Sequence, residues 1–367
     1  MTLTVMQVLH QGGGAGSVTS TLHLSLGLRR AGVDVRFVCP PGSEVESLAR
    51  AGGLAVLPVE LRRGERRANA AALAALLARH PVHLVNSQSA RDREALVRLA
   101  LRRRLGVPLV LTRRQVPRTF FLENWLASHA ADRVVAVSRG VAAALRRKGP
   151  PARKVVVIPN GLVAERVDAA VEPAEMEEWK ARIGWEPGRR TIGIVARHKD
   201  QAVVLRALPR VRTPVRLVLA GVDPAGPLGG LARETRPPHA VVCLPFGPAV
   251  RPLYELLELV LLPSRIEGLS QALLEAMALD RPVIASAAAG NLDLIEDGVN
   301  GLLVPPLDPA AWAAAIERLL GDGALAARLG AAARHTARVT FSLERTVERT
   351  LALYQGLAGP AKLQPTV

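Results

Sequence analysis

Aromatic side chains are scarce in this chain: 5 Phe, 4 Trp and 2 Tyr make up 3% of its 367 residues. Proteins that hold single-stranded nucleic acid stack its bases on such rings, so the composition argues against that class of ligand. Cysteine is rarer still. Cys39 and Cys243 lack the spacing of a zinc site or a disulfide framework, and neither is predicted. No apolar run reaches the roughly 18 residues of a membrane-spanning helix.

Several catalytic motifs are missing as well. A dinucleotide fingerprint fails in the first glycine-rich loop, because Ser17 occupies the third glycine position counted from Gly12. The second predicted strand ends in Val38-Cys39-Pro40 without an acidic residue for a ribose, which argues against a dehydrogenase. No Ser/His/Asp or Cys/His arrangement with supporting loops is present in the sequence. His10 lies near a loop, but a lone histidine is more often structural or solvated, so we assign it no catalytic role.

Basic residues, in contrast, are in excess, and the formal net charge is +16. Residues 1–165 carry 25 Lys and Arg against 10 Asp and Glu, whereas residues 166–367 carry 23 against 22. The excess forms clusters at Arg62-Arg63, Arg66-Arg67, Arg102-Arg103-Arg104, Arg113-Arg114 and Arg146-Arg147-Lys148. Such clusters are typical of a solvated surface or of a surface that binds an anionic partner. A membrane is favoured over nucleic acid, because each basic residue near lipid headgroups contributes on the order of 1 kcal/mol and few aromatics lie nearby.

Short apolar runs alternate with amphipathic or Ala/Leu-rich stretches along the chain, which predicts strands alternating with helices. The predicted strands are 3–9, 33–39, 54–58, 82–86, 108–112, 133–137 and 154–158, then 191–195, 215–220, 241–244, 259–262, 282–285 and 301–304. Two successive arrays of this kind predict an α/β protein with two doubly wound, largely parallel sheets. The break falls around residues 159–186. Because ligands bind at the carboxyl ends of such strands, a site in the cleft between two facing domains is expected.

The most informative segment is Pro263–Ala278, which holds Glu267 and Glu275 with seven residues between them. An apolar run before it predicts a buried strand, and the leucine spacing after it predicts a helix that begins near Ser270. The backbone N–H groups at the start of that helix favour an anionic phosphate. Carboxylates accept hydrogen bonds from vicinal hydroxyls, so the two glutamates predict a ligand with a sugar and a ribose. Two glutamates on an ordinary solvated helix are the alternative.

The Pro-Ser-Arg-x-Glu-Gly lead-in, the E-x7-E spacing and the Leu-Glu-Ala-Met-Ala exit of this segment resemble the family 4 retaining glycosyltransferases, which have the GT-B fold. Further matches lie along the whole chain: the Gly-Gly turn in the loop 9–17, the segments 136–138 and 155–161, and the strand-to-loop segment 193–199. The resemblance therefore implies two Rossmann-like domains that face each other across a cleft.

The family resemblance also implies a role for each candidate residue, with a nucleotide-diphosphate sugar as the donor. Arg197 and Lys199 would bind the donor diphosphate, although many relatives separate these two residues by several positions. Glu267 would hold the sugar hydroxyls and Glu275 the ribose. The catalytic residues expected on this basis are Glu267, Arg197 and Lys199. The other donor-binding residues expected are Gly13, Gly14, Gly268, Leu269, Ser270 and Glu275.

No Asp-x-Asp motif is present, which argues against the metal-dependent GT-A transferases. In a GT-B enzyme, Arg, Lys and helix N–H groups would neutralise the leaving diphosphate, so neither a metal nor a cofactor is expected. Members of the family are generally thought to use the leaving phosphate to accept the acceptor's proton. The resemblance therefore implies no protein base.

The expected organisation is an acceptor-binding domain over residues 1–165, a nucleotide-sugar-binding domain over 166–340, and a terminal helix over 341–358 that crosses back to the first domain. The resemblance to envelope-building members implies a lipid-linked or lipopolysaccharide-type glycan acceptor. The segment Met1–Leu9 has no basic region before it and no cleavage site. We therefore expect a cytoplasmic protein, peripheral on the inner face of the membrane.

Two alternative functions remain open on the same fold. A nucleotide-sugar 2-epimerase would bind a similar donor, but it would normally carry acid/base carboxylates and a histidine where the first-domain loops here are basic. A non-enzymatic, basic GT-B-like protein that binds an anionic surface is the other alternative.

Overall fold

The computed structural model describes residues 2–14, 16–115, 121–149, 151–197, 199–245, 247, 250–288 and 290–359. The chain divides into two compact units: unit 1 comprises Met1–Gly161 and Leu343–Val367, and unit 2 comprises Leu162–Ser342. Each unit is built on one parallel sheet.

In its described residues, unit 1 begins with seven strands and six helices that alternate along the chain. The strands are β1 (Thr4–Val8), β2 (Asp34–Cys39), β3 (Ala55–Pro58), β4 (Leu84–Ser87), β5 (Leu109–Arg113), β6 (Arg133–Ala136) and β7 (Val155–Val157). The helices are α1 (Gly16–Arg30), α2 (Glu44–Ala51), α3 (Arg66–Arg79), α4 (Ala90–Leu101), α5 (Phe121–Ala130) and α6 (Arg139–Arg146). The strand order is β3-β2-β1-β4-β5-β6-β7, and every pair is parallel. Because helices cover both faces of such a sheet, its central strands are buried, and β4 and β5 are buried throughout.

Unit 2 repeats the pattern with six strands. They are β8 (Arg190–Val195), β9 (Val215–Ala220), β10 (Ala240–Leu244), β11 (Leu259–Leu262), β12 (Val283–Ser286) and β13 (Leu302–Val304), in the parallel order β10-β9-β8-β11-β12-β13. The helices are α7 (Ala164–Asp168), α8 (Pro173–Ile183), α9 (Ala202–Ala207), α10 (Pro227–Arg233), α11 (Arg251–Leu256), α12 (Gln271–Ala278), α13 (Asn291–Leu294), α14 (Pro309–Gly321) and α15 (Gly323–His335). Trp312 of α14 is fully buried in the core on one face of this sheet.

The last helix, α16 (Leu343–Ala358), belongs to unit 1 and packs on α1. Gly27 of α1 permits this approach, because a methyl group there would stand 2.5 Å from a methyl of Val347. Tyr354 is fully buried. Its hydroxyl accepts hydrogen bonds from Gln7 Nε2 at 3.0 Å and Asn86 Nδ2 at 2.5 Å, so the helix is fixed to β1 and β4 by polar contacts as well as by apolar ones.

The prediction of two doubly wound parallel sheets is confirmed, and each predicted strand is present with its ends shifted by no more than two residues. The boundary between the units differs from the predicted one at 165/166, because that position lies inside α7. Val163 and Val167 are buried, and Arg166 pairs with Glu275, so the whole of α7 belongs to unit 2. The chain returns to unit 1 at Leu343 rather than at residue 341.

Candidate functional site

The strand order of unit 2 reverses between β8 and β11, which are neighbours in the middle of the sheet. In an open doubly wound sheet the loops that follow two such strands diverge and leave a crevice at their carboxyl ends, where ligands bind. The loop after β8 holds Arg197 and Lys199, and the loop after β11 holds Glu267 and Gly268. These four predicted residues therefore lie at the topological switch point of unit 2.

An ion pair joins these two loops. Lys199 Nζ lies 2.9 Å from Glu267 Oε2, with side chains that are 29% and 14% exposed. A second link lies beside it, where Asp200 accepts from the N–H of Arg265 at 3.0 Å and from its guanidinium at 3.1 Å. The Arg197 side chain is exposed. The site thus pairs a carboxylate with a neighbouring cation at the switch point of unit 2.

Gln201, which is fully buried, stabilises the loop after β8 through hydrogen bonds to its backbone. Its amide nitrogen donates to the carbonyl of Arg197 at 2.8 Å, and its amide oxygen accepts the N–H of Lys199 at 2.6 Å. Gly221 supports the same loop from the end of β9. Its φ is +104°, and a methyl group there would stand 2.6 Å from the carbonyl oxygen of Ala196. Lys199 is therefore presented by a backbone that is fixed before any ligand arrives.

Helix α12 begins one residue after Ser270, which is its N-cap. The hydroxyl of Ser270 accepts the N–H of Leu273 at 3.2 Å, so that group is satisfied within the helix. The N–H of Gly268 is directed at Glu267 Oε1 at 3.3 Å. The helix end therefore presents the N–H groups of Gln271 and Ala272, which sequence reasoning did not single out.

Gly290, in the loop after β12, closes the other side of this turn. Its N–H donates to the carbonyl of Glu267 at 3.3 Å. A methyl group at Gly290 would overlap the backbone carbonyl of Gly268, which cannot move away as a flexible side chain could. The shape of the Glu267–Gly268 turn therefore depends on a glycine 22 residues further along the chain.

We expect Gly290→Ala to displace this turn and to weaken nucleotide binding at least about tenfold, with a loss of stability of about 1–3 kcal/mol from overpacking. Titration calorimetry with nucleoside diphosphates and thermal unfolding measure the two effects. Gly321→Ala is the matched control, because nothing lies within 4 Å of the added methyl group and no positive φ is recorded for Gly321. Normal nucleotide affinity in the Gly290 variant would show that the turn takes no part in binding.

Glu275 lies one turn into α12 and is 7% exposed. Its Oε1 accepts from Arg166 Nε at 2.9 Å, and its Oε2 accepts from the hydroxyl of Tyr254 at 3.3 Å. Burial, reinforced by Glu275, raises the pKa of Tyr254 well above its ordinary value, so this hydroxyl keeps its proton and donates. Each carboxylate oxygen has a further lone pair, which leaves Glu275 able to accept from a ligand hydroxyl.

Unit 1 has its own switch point between β1 and β4. The loop after β1 holds His10, and the loop after β4 leads into α4 with Ser89 as its N-cap and Asp92 in its first turn. His10 Nδ1 lies 2.6 Å from Ser89 Oγ and 3.0 Å from Asp92 Oδ1. His10 is more than 75 positions from Ser89 and Asp92 in the sequence, and the sequence assigns it no catalytic role.

Asp92 is fully buried, yet it accepts an unusual number of hydrogen bonds. Its Oδ2 takes the N–H groups of Gln88 and Ser89, each at 2.8 Å, and the hydroxyl of Ser87 at 2.7 Å. Burial alone would raise the pKa of Asp92, but the hydrogen bonds from His10 and Ser89 outweigh burial and hold that pKa below its ordinary value. Asp92 is therefore an ionised carboxylate directed at the His10 ring.

A buried arginine extends this network. Arg114 Nη1 donates to Gln88 Oε1 at 2.6 Å, and burial lowers the pKa of Arg114 to about 10. Gln88 Nε2 in turn donates to Gln7 Oε1 at 2.5 Å, and Gln7 contacts Tyr354. The loops at the carboxyl edge of unit 1 are thus connected to α16 through side-chain hydrogen bonds.

The predicted residues Gly13 and Gly14 lie in the β1 loop of unit 1, whereas the other predicted residues lie in unit 2. A methyl group at Gly13 would stand 2.6 Å from Glu44 Oε2 of α2. Gly14 has a φ of +65°, the left-handed region that favours glycine. Both glycines therefore have a local reason to be present, in the packing and the path of this loop.

In the part of the chain that the structure describes, no group of three or more His, Cys, Asp and Glu side chains is placed to hold a metal ion. Within the same residues, none of the helices combines the length and the apolar character needed to cross a bilayer.

Two doubly wound parallel domains, each with ligand-accessible loops at a switch point, define the GT-B class of proteins. A solved structure of the Anabaena protein HepE in complex with UDP-glucose has this fold, with a TM-score of 0.81 over 96% of this chain and 100% of that one, at 19% identity. At that identity the likeness shows the fold.

Comparison of the sequence shows the family. Residues 14–166 match the model of Glycosyltransferase Family 4, and residues 189–322 match Glycosyl transferases group 1. An alpha-D-kanosaminyltransferase of Streptomyces kanamyceticus is 31% identical over 276 residues, which cover 68% of this chain and 71% of the relative. A D-inositol 3-phosphate glycosyltransferase of Mycobacterium marinum is 34% identical over 232 residues, 58% of this chain, and the match spans 47% of that relative's length. The chain belongs to the family 4 glycosyltransferases.

Proposed function

We propose that this protein is a retaining glycosyltransferase that moves a sugar from a nucleotide-diphosphate sugar to a glycan or lipid-linked acceptor. The observation that carries the proposal is the Lys199–Glu267 pair at the switch point of unit 2, together with the start of α12 and Glu275. The cation and the helix N-terminus match a diphosphate. The two carboxylates match the two polyols, one on either side of that diphosphate.

The proposed chemistry starts when the bond between the sugar carbon and the diphosphate oxygen breaks. Negative charge then develops on the diphosphate, where Arg197, Lys199 and the N–H groups at the start of α12 stabilise it. Because Gln201 and Gly221 fix the loop after β8 in advance, little reorganisation opposes this stabilisation. Neither a metal nor a cofactor takes part in this proposal.

The two glutamates take different parts of the donor. Glu267 lies beside Lys199, next to the reacting diphosphate, and accepts from the sugar hydroxyls. Glu275 lies deeper, where Arg166 and Tyr254 orient both of its oxygens, and accepts from the ribose. Donor binding draws Lys199 from Glu267 towards the diphosphate, which frees one carboxylate oxygen for the sugar.

A panel of nucleotide sugars tests the proposal against its alternatives. We expect one member of the panel to be consumed with release of an equal amount of free nucleotide, slowly when water is the only acceptor. An epimerase would change the sugar while it remains attached to the nucleotide, and a non-enzymatic surface-binding protein would leave every member unchanged. Either of these two results would contradict transfer.

The surface of unit 1 supports a lipid-associated acceptor. Helix α5 exposes three large apolar side chains: Leu122 is 64% exposed, Trp125 37% and Leu126 36%. Gly149 lies against Trp125, since a methyl group there would stand 3.0 Å from Trp125 Cβ. The basic run 146–148 therefore adjoins the apolar residues. We call Leu122, Trp125, Leu126 and residues 146–148 the α5 patch. Apolar side chains next to cations are typical of surfaces that bind anionic membranes.

We expect Arg146→Glu/Arg147→Glu to lower partitioning to phosphatidylserine vesicles at least about tenfold, since each basic residue near the headgroups contributes on the order of 1 kcal/mol. Co-sedimentation with the vesicles at low ionic strength measures this partitioning. Arg102→Glu/Arg104→Glu changes the net charge of unit 1 by the same amount outside the α5 patch, and it should have a much smaller effect. Equal losses in the two variants, or equal binding of the wild type to neutral vesicles, would exclude a specific role of the α5 patch.

A further inference from the structure

Two donors contact the carboxylate of Glu275, and they differ in how firmly they fix it. The Tyr254 hydroxyl has one proton and two acceptors within reach, the carbonyl of Ala272 at 3.1 Å and Glu275 Oε2 at 3.3 Å. Arg166 Nε donates to Glu275 Oε1 at 2.9 Å, and the two partners carry opposite charges. Hydrogen bonds between charged partners are the stronger kind, and the tyrosine proton has a second acceptor. Arg166 is therefore the main determinant of how this carboxylate is oriented.

The helix that carries Arg166 is anchored to the helix that carries Glu275 at a second point. Arg338 donates to Asp168 Oδ1, at the end of α7, at 2.7 Å. The same guanidinium donates to the carbonyl of Ala278, at the end of α12, at 3.1 Å. Arg166 thus approaches Glu275 from a backbone that is fixed relative to α12, and all of these residues belong to unit 2.

A glutamate side chain has several rotatable bonds, so to hold it in one geometry costs conformational entropy. The ion pair with Arg166 restricts these rotations before any ligand arrives. It occupies one lone pair of Oε1, and the remaining lone pairs of the carboxylate then point in fixed directions. The 2′- and 3′-hydroxyls of a ribose can each donate to one oxygen of a carboxylate held in this way. A 2′-deoxyribose has only one of these hydroxyls.

We propose that Arg166 is a positioning residue that makes the donor site select a ribonucleotide over its 2′-deoxy form. The inference rests on the proposed function, in which Glu275 accepts from the ribose. Arg166 holds Oε1 so that both oxygens of Glu275 face the two ribose hydroxyls together. Without Arg166 the carboxylate rotates, and the second hydroxyl then adds little to affinity, because the side chain must be ordered at the moment of binding.

An ion pair that only stabilised unit 2 would behave differently. Its loss would disturb the site as a whole and would weaken binding of the ribo and deoxyribo forms by the same factor. The Arg166 side chain is also 37% exposed, and ion pairs with an exposed partner contribute little to stability. The ratio of the two affinities therefore distinguishes a positioning role from a structural one.

Titration calorimetry on the whole chain with UDP, ADP and GDP, each compared with its 2′-deoxy form, measures this ratio. For the nucleotide that binds, we expect the wild type to prefer the ribo form at least about tenfold, the effect of one hydrogen bond to a charged group. Arg166→Met removes the donor and should lower the preference to about threefold or less, chiefly through weaker binding of the ribo form. Arg166→Lys can still donate to Oε1 and should restore most of the preference.

Arg338→Met is the matched control, since Arg338 joins α7 to α12 at Asp168 and Ala278 rather than at Glu275. We expect it to leave the ribo preference at the wild-type value. In a Glu275→Ala background, Arg166→Met should change the preference no further, because the two residues act as a unit. Thermal unfolding checks that each variant is folded, and Arg166→Gln replaces Arg166→Met if the latter does not fold.

The outcomes separate the two proposals. If no nucleoside diphosphate binds to the wild type, the proposed donor site fails and this inference fails with it. If the wild type binds the ribo and deoxyribo forms equally, the assignment of Glu275 to the ribose is wrong, and so is the role of Arg166. If the wild type prefers the ribo form and the folded Arg166 variant keeps that preference, with both affinities unchanged or equally weakened, the inference about Arg166 fails alone.

Discussion

Glu267→Ala is expected to lower turnover of the nucleotide sugar at least about 100-fold, since two or more hydrogen bonds from sugar hydroxyls to a charged group, each about 1.5–3 kcal/mol, are lost. Free nucleotide should still bind, because the sugar is absent from it. Glu267→Gln keeps the shape and removes the charge, so it should show most of the same loss. Steady-state rates and titration with the nucleoside diphosphate measure the two quantities separately.

Glu275→Ala should affect binding more than turnover, in contrast to Glu267→Ala. Loss of the ribose contact is expected to weaken binding of both the free nucleotide and the donor by about tenfold or more, with a smaller effect on turnover at saturation. Part of the loss arises because Arg166 loses the carboxylate to which it donates, whereas the Tyr254 hydroxyl keeps the carbonyl of Ala272 at 3.1 Å.

Glu177→Ala is the matched control for both glutamate variants, because Glu177 also pairs with a lysine, at 2.7 Å, but on the exposed surface of α8. We expect Glu177→Ala to change neither the turnover of the nucleotide sugar nor the affinity for the nucleotide. Normal rates and normal nucleotide affinity in both site variants would exclude the assigned donor site.

Tyr354→Ala should cause the largest loss of stability among single substitutions outside the site. The ring is fully buried, and removal of such a side chain costs about 3–5 kcal/mol. Gln7 and Asn86 would also lose the hydroxyl to which both donate. Tyr354→Phe isolates that second effect and should cost about 1–3 kcal/mol.

Differential scanning calorimetry should show one transition lowered by on the order of 10 °C in Tyr354→Ala, since the tyrosine belongs to unit 1 alone. Gln355→Ala, the next residue on α16 and exposed, should leave every transition in place. An unchanged thermogram for Tyr354→Ala would mean that α16 contributes little to unit 1. That result would contradict the view that the packing of α16 on α1 stabilises unit 1.

The fold was largely predictable from the sequence, for a physical reason. Parallel strands covered on both faces are mostly apolar, so runs such as Val155–Val157 and Leu259–Leu262 are visible without knowledge of their partners. Boundaries were less predictable, because they depend on contacts made elsewhere. Helix α7 belongs to unit 2 through the contact of Arg166 with a glutamate 109 residues away.

The candidate site was predictable only in part. The resemblance predicts roles for Glu267 and Lys199, but it could not show that they pair with each other. Gln201 and Gly290 act on backbone carbonyls, and no local pattern indicates such contacts.

His10 was missed for a different reason, because its partner is 82 residues away. One signal was available. His10 follows the first strand and Asp92 follows the fourth, and the doubly wound order makes those two strands neighbours. Combining strand order with the position of polar residues would have joined them.

Hydrogen–deuterium exchange with and without a saturating nucleoside diphosphate tests the central claim most directly, because it locates the donor site without knowledge of the sugar or the acceptor. The account predicts slower exchange in the loop 196–201 and in 263–275, where Lys199, Glu267 and the start of α12 lie. Protection confined to unit 1, or no protection by any of the common nucleoside diphosphates, would contradict it.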